Sequence, residues 1–268
     1  MRMPRIRSAS VWGMRFEASD TMSKASKVLG GLFFLTASTA GAQVRAPAKS
    51  VTVSVVISQA TVSKTAASKI QDASNVAVWL TALDRTVRAD PVSASRENPP
   101  QLVQRNKTFE PHVLVVPVGT VVEFPNKDPF FHNIFSLYDG RRFDLGLYES
   151  GTKRSVRFDR PGVSFLFCNI HAEMSAVVVS VDTAYFGLSD RNGNVTIPNV
   201  PDGHYQMNVW YERSSPEHLK EIARVVTISD SSRKIGFEVL QNPTFTPTHK
   251  NKYGLDYVPP PNPDYDRP

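Results

Sequence analysis

The chain holds a single cysteine, Cys168, among 268 residues, and that scarcity removes several kinds of protein at once. A lone thiol cannot build a disulfide framework, nor can it supply the paired Cys ligands of a structural zinc ribbon. No glycine-rich phosphate loop is legible, and no nucleophile stands with a base and an orienting acid. Long apolar runs are missing as well. The run at 28–35 contains two glycines and falls far short of the roughly 20 residues that span a bilayer. Histidine is sparse, with six, and His112, His204, His218 and His249 have no ligand neighbour at a metal spacing. A multi-centre redox enzyme would need more such clusters.

What is there is an ordinary globular composition, 41% hydrophobic and 21% charged, enough for one large or two small cores. The formal charge of +6 is concentrated at the start: residues 1–42 carry six Lys or Arg and two acids, leaving 25 basic against 23 acidic residues, a net of +2. A nucleic-acid interface therefore has no support, because it needs a concentrated basic surface. Lys24 and Lys27 precede the apolar run, which leads to Ala40-Gly41-Ala42 before Gln43. This pattern predicts a secretory signal cleaved after residue 42, with Met22 as a candidate start and no stable membrane insertion afterwards. In an oxidising compartment structural cysteines come in pairs. An unpaired thiol there calls for protection, and metal ligation supplies it.

Alternating apolar runs bounded by Gly, Pro, Asn and Asp predict strands at 51–57, 76–83, 113–124, 163–168 and 176–181, hence an all-β class. Cys168 falls at the end of its strand, on the face opposite Phe165 and Phe167. After residue 182 come two hairpin-like units, with turns at Asn192-Gly193 and Asp202-Gly203. A short helix is predicted at 216–223, a polar loop at 84–99, and a Pro-rich extended tail from 241 onward. The strands at 51–57 and 76–83 have two readings: they complete a discontinuous sandwich with 183–240, or they extend the sandwich in the middle of the chain.

The chemistry concentrates in Cys168-Asn169-Ile170-His171-Ala172-Glu173-Met174, which places a thiol, an imidazole and a thioether within seven residues. Soft thiolate and thioether donors select copper, and two imidazoles with one thiolate and a weak axial Met describe an electron-transfer copper centre. The second imidazole is His132, reached from the 113–124 strand through a turn rich in Asn, Asp and Pro. Glu173 is the alternative axial donor, which would make a harder site.

The order of these parts, one His after an apolar strand and then Cys, His and Met close together, resembles the cupredoxin family over roughly residues 100–182. The two-residue gaps around His171 are similar to the short ligand loop of amicyanin rather than the longer loops of plastocyanin or pseudoazurin. The resemblance implies a Greek-key cupredoxin β-sandwich with one type 1 copper ion, held by His132, Cys168 and His171 in the plane and by Met174 axially. It places Asn133 where cupredoxins carry an Asn that ties the two ligand loops together. It also implies an apolar rim around the second His, made by Phe130 and Phe131 with Pro129 and Ala172, where partners dock. The segment after 182 resembles the second half of a carboxypeptidase-regulatory-like module, a small transthyretin-like sandwich whose first two strands are missing from that segment.

The expected organisation is thus 1–42 extension and signal, 43–98 N-terminal strands, 99–182 cupredoxin domain, 183–240 regulatory-like module and 241–268 tail. The expected role is an exported one-electron carrier between periplasmic redox proteins, not an enzyme. Copper storage or delivery, or a binding module with a vestigial copper domain, are the alternatives. Arg141, Arg142, Lys153, Arg154, Arg157 and Arg160, interrupted by Asp144, Glu149 and Asp159, form either a solvated face or a dock for an acidic partner.

Overall fold

The computed structural model describes residues 49–59, 68–69, 72–84, 98–137, 140–242, 244–245 and 249–257. The expected signal segment 1–42, most of the polar loop 84–99 and the end of the tail lie outside the described residues. Three strands come first: β1 (Lys49–Gln59), β2 (Ser68–Lys69) and β3 (Ala77–Ala82). Next are β4 (Val103–Arg105), β5 (Thr108–Glu110), β6 (Val113–Pro117), β7 (Thr120–Pro125), β8 (His132–Ser136), β9 (Phe143–Tyr148), β10 (Lys153–Phe158), β11 (Gly162–Phe167) and β12 (Ser175–Val181). The rest are β13 (Phe186–Leu188), β14 (Asn194–Val200), β15 (Gly203–Trp210), helix α1 (Pro216–Ile222), β16 (Arg224–Ile228) and β17 (Lys234–Gln241). The class is all-β. No helix among the described residues is long and apolar enough to cross a membrane.

In β1, Val51, Val53, Val55 and Ile57 are buried while Thr52, Ser54 and Val56 face out, the period of a half-buried strand. It lies between β14, antiparallel, and β17, parallel. The facing sheet runs β13-β3-β15-β16, and Tyr205, Met207 and Leu80 from it meet the β1 side in one apolar core. Both early strands thus pair with residues 186–241. Helix α1 forms as expected: Ser215 caps it by accepting from His218 N at 3.2 Å, Pro216 starts it, and Leu219 and Ile222 pack on that core.

The two expected hairpin units are not hairpins. β13 and β14 belong to different sheets, as do β14 and β15, so both turns are arches that carry the chain across the core. Local turn chemistry is the same in either case. At the first arch Asp190 Oδ1 accepts from the N–H groups of Asn192 and Asn194, and Gly193 has φ +80°. A Cβ at Gly193 would stand 2.0 Å from the carbonyl oxygen of Val55, so the close passage under β1 demands glycine.

The middle of the chain forms a second sandwich. One sheet has the order β6-β12-β11-β8-β9, with β6 parallel to β12; β7 pairs with β10 in the other. The β4–β5 hairpin joins that second sheet through bridges from Gln101 and Gln104 to Glu123 and Asn126. Phe124, Phe158, Leu102, Ile134 and Leu166 fill the space between. The run 113–124, expected as one strand, is two: the chain turns at Val118-Gly119, where Gly119 has φ +92°, and β6 and β7 enter opposite sheets. A continuous apolar run hides such a crossing because both halves are buried. Strand β12 is apolar without alternation for a related reason. Val178 faces the inner core, while Val177, Val179 and Val181 pack with Ala77, Trp79 and Trp210 of the first sandwich in a third core.

Candidate metal centre

The site is assembled at one end of the second sandwich, and its first wall is the loop between β7 and β8. Asn126, fully buried, donates from Nδ2 to Phe130 O at 2.8 Å and accepts the Asp128 N–H at 3.0 Å, an Asx turn that shapes the loop. His132 therefore starts β8 with its ring inside the protein, 0% exposed.

Asp128 fixes that ring. Its Oδ2 is 2.7 Å from His132 Nε2, and the same carboxylate accepts the backbone N–H groups of Asn106 at 2.6 Å and Lys107 at 3.0 Å. Those two residues form the β4–β5 turn with φ of 52° and 55°, a conformation that suits the Asn at its first position. Burial works to raise the Asp128 pKa, but the bonds from His132, Lys107 and Asn106 outweigh it and hold the carboxyl below its ordinary value. An ionised Asp128 can only accept, so His132 carries its proton on Nε2 and turns the Nδ1 lone pair inward. Burial also lowers the His132 pKa, which favours the neutral, ligating imidazole.

Cys168 follows directly on β11, which ends at Phe167, one residue before the expected strand end. Its Sγ lies 3.8 Å from His132 Nδ1 and 3.6 Å from His171 Nδ1. Burial pushes the thiol pKa up, and the N–H groups of Asn133, Ile170 and His171, directed at the sulfur, pull the other way. The loop is closed by Cys168 N–H to Met174 O and Met174 N–H to His171 O, both 3.2 Å. The ligand-type atoms of His132, Cys168 and His171 all lie within 4.8 Å of one another. This donor set fits copper: two imidazoles, one thiol that a metal can take as thiolate, and a largely apolar surround. Met174 is fully buried in the same core cluster as Cys168. Glu173, in contrast, is exposed.

Phe130 covers the imidazoles, with ring centroids 5.3 Å from His132 and 5.5 Å from His171. Neither it nor Phe131 enters the hydrophobic core; Phe131 is 48% exposed. Asn133 reaches the Cys168 loop through its backbone N–H, while its side chain donates to Asp144 of β9 at 2.8 Å. Three of the basic residues are committed locally: Lys153 pairs with Glu123, Arg141 with Asp159, and Arg157 donates to Gly119 O. The other histidines are spent locally, His204 on Asp84, His112 on Glu212 and Ser175 O, and His218 as an acceptor from Leu240 N.

Two features escaped the sequence reading. Asp128 was legible only as a turn former, although a carboxylate four residues before a ligand-type His is a usable signal. Residues 249–257 lie against the Cys168 loop rather than trailing away, and no periodicity announces them.

Neither a protein-family model nor a curated protein matches the chain. Among solved structures, a purple cupredoxin from Nitrosopumilus maritimus is 26% identical over 31% of this chain and 99% of its own, with a TM-score of 0.29. A Cu-containing nitrite reductase from Thermus scotoductus SA-01 is 26% identical, covering 31% of this chain and 22% of that one, TM-score 0.30. An oxidised amicyanin mutant is 19% identical over 32% and 84%, also TM-score 0.30.

Proposed function

We propose that this chain is a copper-binding one-electron carrier, with His132, Cys168, His171 and Met174 as ligands of a single ion. The observation that carries the reading is the convergence of two imidazole nitrogens and one sulfur within 4.8 Å of one another in a buried setting. Copper bound there would supply one-electron chemistry between two oxidation states. The chain supplies the rest. Asp128 holds the His132 ring and its tautomer, as carboxylate partners of ligating imidazoles do. Three backbone N–H groups stabilise the Cys168 thiolate, and the closed 168–174 loop limits how far the donors can move. Phe130 keeps water from the imidazoles. Phe131, Pro129 and Ala172 stand exposed beside the site, an apolar rim suited to a redox partner. We assign the carrier to the periplasm and give it no enzymatic activity of its own.

The test is the visible spectrum of the purified chain after addition of Cu(II). Stoichiometric binding with an intense thiolate-to-copper band is expected, and Cys168→Ser should abolish the band while leaving the fold. Bound copper without colour would move the assignment to storage or delivery. No uptake would leave a binding module.

A further inference from the structure

Strands β8 and β11 present His132 and Cys168, and they are neighbours in one sheet. Their ladder, however, registers a single pair, Phe135 with Phe167. By contrast β11 and β12 share six. The seam between the two ligand strands is therefore the weakly laced part of the sheet, at the point where a metal centre needs fixed donors.

Residues 249–257 lie across that seam. The His249 ring stacks on Phe167 at 4.0 Å and 22°. Tyr257 Oη donates to the carbonyl of Cys168 at 2.7 Å and lies 3.2 Å from His249 Nδ1; burial pushes its phenol pKa up, so it remains a neutral donor. Lys252 reaches both sides. Its backbone N–H donates to Asn169 Oδ1 at 2.9 Å, and its Nζ donates to Asp144 Oδ2 at 2.8 Å. The other oxygen of Asp144 takes the Asn133 side chain, next to His132. The segment also has its own shape: Asn251 Oδ1 accepts from Tyr253 N and Leu255 N, and Gly254, with φ +78°, donates to Asn251 O.

We propose that residues 249–257 are a strap that holds the ligand strands at a fixed separation, with Lys252 and Tyr257 as positioning residues for the metal centre. The role at the metal rests on the copper reading above; the effect on the strands does not. A donor set already held in place when the metal arrives is bound with less reorganisation.

The strap can be tested without metal, because Cys168 is the only cysteine and its alkylation reports opening of this loop alone. In the full-length, metal-free protein, iodoacetamide should modify Lys252→Ala and Tyr257→Phe faster than wild type. Lys252→Ala removes the side-chain bond to Asp144, and Tyr257→Phe removes the bond to the Cys168 carbonyl together with the contact to His249, so a rise of roughly fivefold is expected, with the thermal midpoint nearly unchanged. Lys252→Arg, which keeps a cationic donor toward Asp144, should react at close to the wild-type rate. Equal rates in wild type, both single variants and the double variant would overturn the strap, whether or not copper binds. In the copper-loaded protein the same variants should displace or broaden the visible band, a change that loss of stability alone does not produce. If the wild type takes up no copper, the functional reading falls while the alkylation rates still decide the strap.

Discussion

The two sandwiches differ in what they bury. In the one built by β1, β3 and β13–β17, the buried polar side chains among the described residues are three hydroxyls, Ser58, Thr183 and Ser189. Each is committed to the framework: Thr183 donates to Leu80 O, Ser189 to Ala73 O, and Ser58 bonds Glu238. The sandwich between them in sequence buries two imidazoles, a carboxylate and two asparagine amides, namely His132, His171, Asp128, Asn126 and Asn133. Taking such groups out of water costs stability unless every one is hydrogen-bonded, and the cost grows with charge. Packing alone gives no reason to gather them at one end of a β-sandwich. The difference separates a scaffold from a site: one sandwich supplies apolar area, and the other spends part of its own on donors that a metal can use.

That contrast can be broken by paired substitutions. His132→Ala should remove the stabilisation that copper confers on the folded chain, roughly 4 kcal/mol when the free metal is a thousandfold above Kd. Ile197→Ala, in the scaffold core at 0% exposure, should do the reverse, costing about 2–5 kcal/mol of metal-free stability with the copper Kd unchanged, since distant sites act independently. Chemical denaturation with and without copper reads both. A copper Kd that moves in Ile197→Ala would mean the scaffold is part of the site. A smaller effect sharpens the comparison. Asp128→Asn keeps the size of the side chain but replaces an ionised acceptor with a neutral one, so copper affinity should fall about 10–100-fold. An unchanged affinity in a competition titration would reduce Asp128 to a loop former.

The cluster of His132, Cys168 and His171 was legible because it is largely local: His171 follows Cys168 within a single loop, and His132 is set off by a turn after an apolar run. The alternation of 51–57 was equally plain, because one face of β1 meets a core and the other meets water. What stayed hidden depends on chain contacts that no local pattern encodes. Asn192-Gly193 and Asp202-Gly203 have hairpin chemistry, yet the strands they join diverge into separate sheets. The apolar run 113–124 gives no sign of the crossing at Gly119. Lys252 and Tyr257 sit in a polar, aperiodic stretch, and their value arises only because the Asn169 side chain and the Cys168 carbonyl point outward at the right place.

The weakest expected effect lies where the two sandwiches meet. His112, between β5 and β6, has Nδ1 3.2 Å from Ser175 O and Nε2 2.7 Å from Glu212, which follows β15 in the other sandwich. The Glu212 hydrogen bond raises the His112 pKa above its ordinary value, against burial and against Arg213, the other charged group acting on it. A raised folded-state pKa fixes the sign. The link contributes in full below the unfolded-state value of about 6.5, where both states are protonated, and is lost as pH rises through the higher folded value. The His112 side chain is 37% exposed, so solvent screens the pair and the contribution should stay under about 1 kcal/mol. Thermal midpoints of the metal-free protein from mildly acid to alkaline pH should therefore show wild type ahead of His112→Gln at the acid end, with the two curves closing as pH rises. Curves that stay parallel would mean that this junction is held by the apolar contacts of Val177, Val179 and Val181 alone, with no ionic share.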